Sequence, residues 1–188
     1  MPFLLIGLAW LVAAIALSAL GVIAKLEPPA PQLMVAGLTV ALVLAYRFLA
    51  PFREWLLALD WRVIVAFHLT RFIGFYFLAL YRRGELPYAF AVEGGTGDII
   101  VAALAVLLLA TSYTVDRRPH LLAAWNVLGL ADILFVVVTA TRLALADPAS
   151  MAPLLHLPLS LLITFFVPLI IASHLLVFVR LSRWPRPA

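Results

Sequence analysis

Hydrophobic positions in this chain form long runs, without the polar face of a surface helix and without the alternation of a half-buried strand. Six runs, near 3–24, 32–50, 57–81, 97–115, 119–144 and 154–179, are separated by short polar segments. At about 1.5 Å of rise per residue, each is long enough as a helix to cross a hydrocarbon core of about 30 Å. Only helices or a closed barrel satisfy their own backbone in lipid, and barrel strands are alternating runs of about 10 residues. The pattern therefore predicts an all-α fold: a single transmembrane domain, 1–188, built as a bundle of six helices. The first run lacks a basic start and a small-x-small cleavage site, so it is read as a helix and not as a removed signal.

The breaks between the runs predict the connections. "KLEPPAPQ" (25–32) is a proline-stiffened outer turn, "DRRP" (116–119) a tight inner turn with Pro119 opening helix 5, and "ADPASMAP" (146–153) another outer turn. Residues 82–97, "RRGELPYAFAVEGGTG", are different. They are too apolar for a solvated loop and too broken by Gly84, Pro87 and the glycines at 94–97 for a helix. This segment is expected to fold back, partly buried, onto the outer mouth of the bundle between helices 3 and 4, which brings Glu85, Pro87, Glu93 and Gly97 to an outer entrance.

Composition agrees. With 66% hydrophobic and 12% charged residues and a mean hydropathy of +1.15, there are too few polar groups to cover a soluble globule. The lipid bilayer is the first expected partner. With the N-terminus cytoplasmic, Arg47, Arg53, Arg62, Arg117, Arg118, Arg180, Arg183 and Arg186 fall inside, against Lys25, Arg82, Arg83 and Arg142 outside, with Arg71 within helix 3. Eight against four predicts both termini in the cytoplasm. These arginines are scattered over short loops, so the net charge of +4 is an anchoring pattern and no nucleic-acid partner is expected. The absence of cysteine excludes disulfides, thiolate metal sites and thiol redox chemistry.

Polar residues inside the runs carry the functional information, because each is costly in lipid and turns toward the bundle interior. Counting from the helix centres puts His68 and Arg71 near the midplane, on one face at i and i+3, with Asp132 at the same depth in helix 5. Trp125, Gly129 and Asp132 form one stripe, flanked by Asn126. Arg71 and Asp132 are expected to pair. As a static ion pair they would only fix helix register; as the floor of a cavity they would hold an anionic or hydrogen-bonding ligand, or pass a proton. Asp98, after "GGTG", and His156, in "LHLPLSL", are assigned to the outer interface, where Asp98 also suits a helix N-terminus. A polar track would then run from Asp98 and His156 through Arg71 and Asp132 to Asn126 and His174.

Four histidines raise haem b as the cofactor alternative. On these boundaries His174 lies about 10 Å deeper than His68, so no cofactor is expected without a helix shift, and His120 is interfacial. No close-spaced ligand pair predicts a metal site. No Ser-His-Asp set, nucleophile elbow or clustered carboxylate pair nominates a catalytic residue. Pro158 and Pro168 are expected to bend helix 6.

The run "RFIGFYFLALYRRGELPYAFAVEGGTGDIIVAALA", followed by "WNVLGLAD" and "HLPLSLLITFFVPLIIASHLL", resembles a family of small, uncharacterised bacterial inner-membrane proteins. In that family an arginine, a Gly-x-Leu-Pro loop, a Gly-x-Gly-Asp turn and a Trp-Asn-x-x-Gly-x-x-Asp helix follow in this order. The resemblance covers about 65–178. It implies a bacterial inner-membrane location and one site drawn from Arg71, Glu85, Pro87, Gly97, Asp98, Trp125, Asn126 and Asp132, without implying an activity. Two function classes follow. The first is a membrane protein, alone or as a homo-oligomer, that binds or translocates a small solute, ion or proton. The second is a redox or assembly subunit of a larger membrane complex.

Overall fold

Helices account for every regular element among the described residues, which are 2–184 of the computed structural model; Arg186, counted with the inner basic set, lies outside them. Six segments are long and apolar enough to cross a bilayer: Pro2–Ala19, Ala30–Phe48, Trp61–Arg82, Ala89–Ala110, Pro119–Ala146 and Leu162–Leu181. The first two are α1 (Pro2–Ala19) and α2 (Ala30–Phe48). A short helix, α3 (Ala50–Ala58), comes next, so 57 and 58, expected at the start of helix 3, end α3 instead. The third segment opens at Asp60, whose carboxylate accepts from Arg62 N at 2.8 Å and caps α4 (Trp61–Phe67). It tightens into a 3-10 stretch, His68–Ile73, and continues as α5 (Gly74–Arg82).

The fourth segment begins as a π-helical turn, Ala89–Gly94, and runs on as α6 (Gly95–Ala110). Thus the expected loop over 82–97 is helical from Ala89 onward, with Leu86 and Phe90 buried but Glu85, Tyr88 and Glu93 exposed. Glycine disfavours a helix in water, but here its missing side chain lets two segments touch. A methyl group on Gly74 would overlap the carbonyl oxygen of Gly95, and one on Gly95 would lie 3.2 Å from Gly74 O and 3.3 Å from Phe77 Cβ. Close backbone contact of this kind is how small residues join apolar helices, and it outweighs the propensity term of about 1 kcal/mol per glycine.

After α7 (Ser112–Arg117) and α8 (Pro119–Ala146), residues Pro148–Leu155 form a 3-10 stretch capped by Asp147, whose carboxylate accepts from Ala149 N at 3.2 Å. The sixth segment starts only at a π-helical turn, Leu162–Phe166, and continues as α9 (Val167–Leu181). The sequence reading began it at 154. Pro153 and Pro158 lack the amide hydrogens that an α-helix through this region needs, which delays its start and moves its centre toward the C-terminus.

The chain forms two compact units: Met1–Arg53 with Ala140–Leu169, and Glu54–Thr139 with Ile170–Ala188. In the first, Pro168 has no N–H to offer Thr164 O four residues back. Trp10 Nε1 donates to that oxygen at 3.0 Å, and the Trp10 ring stands edge-on to Phe165 with centres 4.9 Å apart. In the second, Val65, Phe77, Ala91, Val101, Ala102 and Ala105 form a buried seam between the third and fourth segments. At one end of this unit Asp116 accepts from Arg62 and from Trp61 Nε1, while Arg180 donates to the carbonyls of Leu57 and Leu59.

Candidate functional site

Among the described residues of the second unit, the buried charge gathers around one guanidinium. A 3-10 helix has three residues per turn, so His68 and Arg71 stack one above the other, and both are buried, with relative exposures of 0% and 1%. Arg71 Nε donates to Asp98 Oδ1 at 2.6 Å, Nη1 to Gly129 O at 3.0 Å, and Nη2 to Asp132 Oδ2. The expected Arg71–Asp132 pair is present, but it is half of a triad.

The sequence pattern starts the fourth helix at 97 and so puts Asp98 at the outer interface. With the segment starting at Ala89, Asp98 lies more than two turns in and is 4% exposed. Asp132 is the more open carboxylate, its side chain 13% exposed against 6% for Asp98. The cluster sets one guanidinium against two carboxyl groups, drawn from three apolar segments.

Beside the triad stands a second polar group. Trp125 Nε1 donates to Val101 O at 3.0 Å and fixes α8 on α6. Its ring centre is 4.9 Å from that of His68 and 5.5 Å from that of His174. The two histidine rings are 4.4 Å apart, not the separate depths expected from sequence, because the sixth segment begins later and carries His174 toward the middle.

The tautomers of both histidines follow from their partners. Ser173 Oγ donates to Ile170 O at 2.7 Å, so at 3.0 Å from His68 Nε2 it can only accept; His68 carries its hydrogen on Nε2. Asn126 Nδ2 donates to His174 O at 3.1 Å, which orients its Oδ1 toward His174 Nδ1 at 2.8 Å; His174 carries its hydrogen on Nδ1. The two remaining nitrogens, His68 Nδ1 and His174 Nε2, are buried and have no donor.

Two glycines set these distances. A methyl group on Gly97 would overlap Asp132 Oδ1, and one on Gly129 would come within 2.9 Å of His174 Nε2. Gly129 therefore links the groups, since its carbonyl takes a hydrogen bond from Arg71 while its bare Cα faces the His174 ring.

Of the residues nominated from sequence, Arg71, Asp132, Asp98, His68, Asn126, His174 and Gly97 meet in this unit. His156 is exposed, at the end of the 3-10 stretch in the other unit, and Glu85 and Glu93 are exposed, with Pro87 half-buried. Gly74 and Ser173 were missed. Gly74 had a readable signal, a glycine within an apolar run that has a glycine cluster one segment on; Ser173 had none. Among the described residues no three His, Asp or Glu side chains are arranged to hold a metal ion.

A family model described as a domain of unknown function (DUF8737) matches residues 28–182, from just before α2 to just past α9. No curated protein and no solved structure matches the chain.

Proposed function

The chain belongs to the DUF8737 family, and we propose that it is a membrane-spanning protein that moves protons through the Arg71–Asp98–Asp132 site. One observation carries this reading: a single guanidinium lies between two carboxylates, Asp98 buried and Asp132 partly so. A strut that only fixes helix register needs one carboxylate. The second leaves the site one positive charge short, and an uncompensated buried charge is costly.

A proton or a small cation makes up that charge. Hard metal cations gather six or more oxygen ligands, whereas the site offers two carboxylates, each with one oxygen already engaged by Arg71; a proton needs a single lone pair. Arg71 is then the fixed counter-charge, and Asp132, the more open of the two acids, is the group that exchanges. The six apolar segments support a bilayer as the setting. In this proposal the membrane is a bacterial cytoplasmic one, with both termini inside on the strength of eight basic residues against four.

The second reading, a redox or assembly subunit, draws less support from the geometry. Two imidazoles on opposite faces of one iron hold their ring centres about 6 Å apart, given metal–nitrogen bonds of about 2.0 Å. The His68 and His174 rings are closer than that, at 4.4 Å.

Purified protein in liposomes, with a pH-sensitive dye inside and a reporter fused after Ala149 to read orientation, tests the proposal. An imposed pH gradient should collapse faster than in empty liposomes. A rate equal to that of empty liposomes would remove proton movement from consideration and leave the assembly role.

A further inference from the structure

His68 Nδ1 and His174 Nε2 are the anomaly this site leaves over. Nearly all buried polar atoms in folded proteins find a partner, so two adjacent acceptors without a donor call for one. Resting on the proton-site reading above, we infer that this histidine pair is the next station of the path and accepts the proton that Asp132 releases.

Three features support it. First, both empty nitrogens are the ones left free by the tautomers: Ser173 holds the hydrogen of His68 and Asn126 that of His174. Second, the two clusters share a residue. Gly129 lies one turn before Asp132 on α8, bonds Arg71 through its carbonyl, and supports the His174 ring on the side of Nε2. Third, the rings stand with centres 4.4 Å apart, so the two unpartnered nitrogens belong to one ring pair.

Arg71 lies one 3-10 turn from His68 and holds Asp98 of α6 and Asp132 of α8. Arg71 repels a charge on the pair, which makes the imidazolium a passing state and not a resting one. His174 Nε2 has no hydrogen-bond partner in the resting arrangement, so the first step requires Asp132 to leave Arg71: its O–H bond then breaks, its electron pair stays on the carboxylate, and the His174 Nε2 lone pair takes the proton. The carboxylate returns to Arg71. In the second step the proton passes from His174 Nε2 to His68 Nδ1, and His174 returns to its starting tautomer. No electron changes hands.

A buried water donating one hydrogen to each nitrogen would satisfy them as well, without any transfer, and the test separates the two. Proton flux is measured in liposomes for the wild type, Asp132→Asn, His68→Phe, His174→Phe, and the better-folding fallbacks His68→Gln and His174→Gln, each normalised to folded protein. Imidazole nitrogen NMR of the wild type, assigned by the peaks lost in the Gln variants, gives the tautomers. The expected result is a fall of about a hundredfold in each folded histidine variant, the usual scale for removing a positioned proton-transfer group, with His68 protonated on Nε2 and His174 on Nδ1. Flux lost in Asp132→Asn but kept within about twofold in the histidine variants overturns the relay and leaves the proton site standing; that is the water outcome. Reversed tautomers also overturn the relay alone. Absence of flux in the wild type overturns the proton site and the relay together.

Discussion

Arg71→Ala destabilises the folded protein by about 3–5 kcal/mol, the usual cost of orphaning a buried ionic partner. It removes the donor to three acceptors at once, Asp98 Oδ1, Gly129 O and Asp132 Oδ2, and leaves two carboxylates facing each other in an apolar interior. The combined variant Arg71→Met, Asp98→Asn, Asp132→Asn should recover most of the loss, because no uncompensated charge remains and methionine refills the volume. Unfolding in detergent, arranged as a mutant cycle, measures this. A coupling of about 2 kcal/mol or more is expected for residues sharing one network. Additive effects would mean that the three side chains do not act as one cluster.

Gly74→Ala is the second large effect. Its new methyl group overlaps the Gly95 carbonyl oxygen and comes within 2.9 Å of Ile99 Cγ1. Backbone cannot swing aside as a long side chain can, so the third and fourth segments must separate along the seam that aims both Arg71 and Asp98. A loss of about 3 kcal/mol is expected, the upper end for overpacking a well-packed interior. Gly37→Ala is the matched control, since nothing lies within 4 Å of its position and φ is not positive there. It should leave stability unchanged or slightly raised. Equal effects of the two substitutions would show that the Gly74–Gly95 contact does not hold the segments together. Gly97→Ala differs from both, because the atom it meets is the end of the Asp132 side chain, which can yield by leaving Arg71.

The sequence showed the apolar segments well, because a run of about twenty apolar residues has no other stable solution in lipid. It also showed Arg71 and Asp132 as partners, since two opposite charges at equal depth have few alternatives. It misplaced Asp98 and His174 for one shared reason. Depth depends on where a segment ends, and both ends lie where glycine and proline act against their usual meaning. Gly94, Gly95 and Gly97 read as a loop by propensity, yet helix contact made them helical. Pro158, read as a bend within the sixth helix, lies before its start. Propensity is a local quantity, whereas the Gly74–Gly95 approach is a contact between distant residues, invisible to any window along the chain. The opposed tautomers of His68 and His174 were unreadable for the same reason, since they depend on Ser173 and Asn126 being brought beside them.

The central claim is that the second carboxylate of the triad serves a moving charge and not the fold. The proton flux of Asp132→Asn, per folded protein in liposomes, tests it most directly. In this variant Arg71 keeps Asp98 as a balanced pair, so the protein should fold, while flux should fall by about a hundredfold relative to the wild type. A well-folded Asp132→Asn protein that moves protons at the wild-type rate would contradict the claim and leave Arg71, Asp98 and Asp132 as a structural cluster.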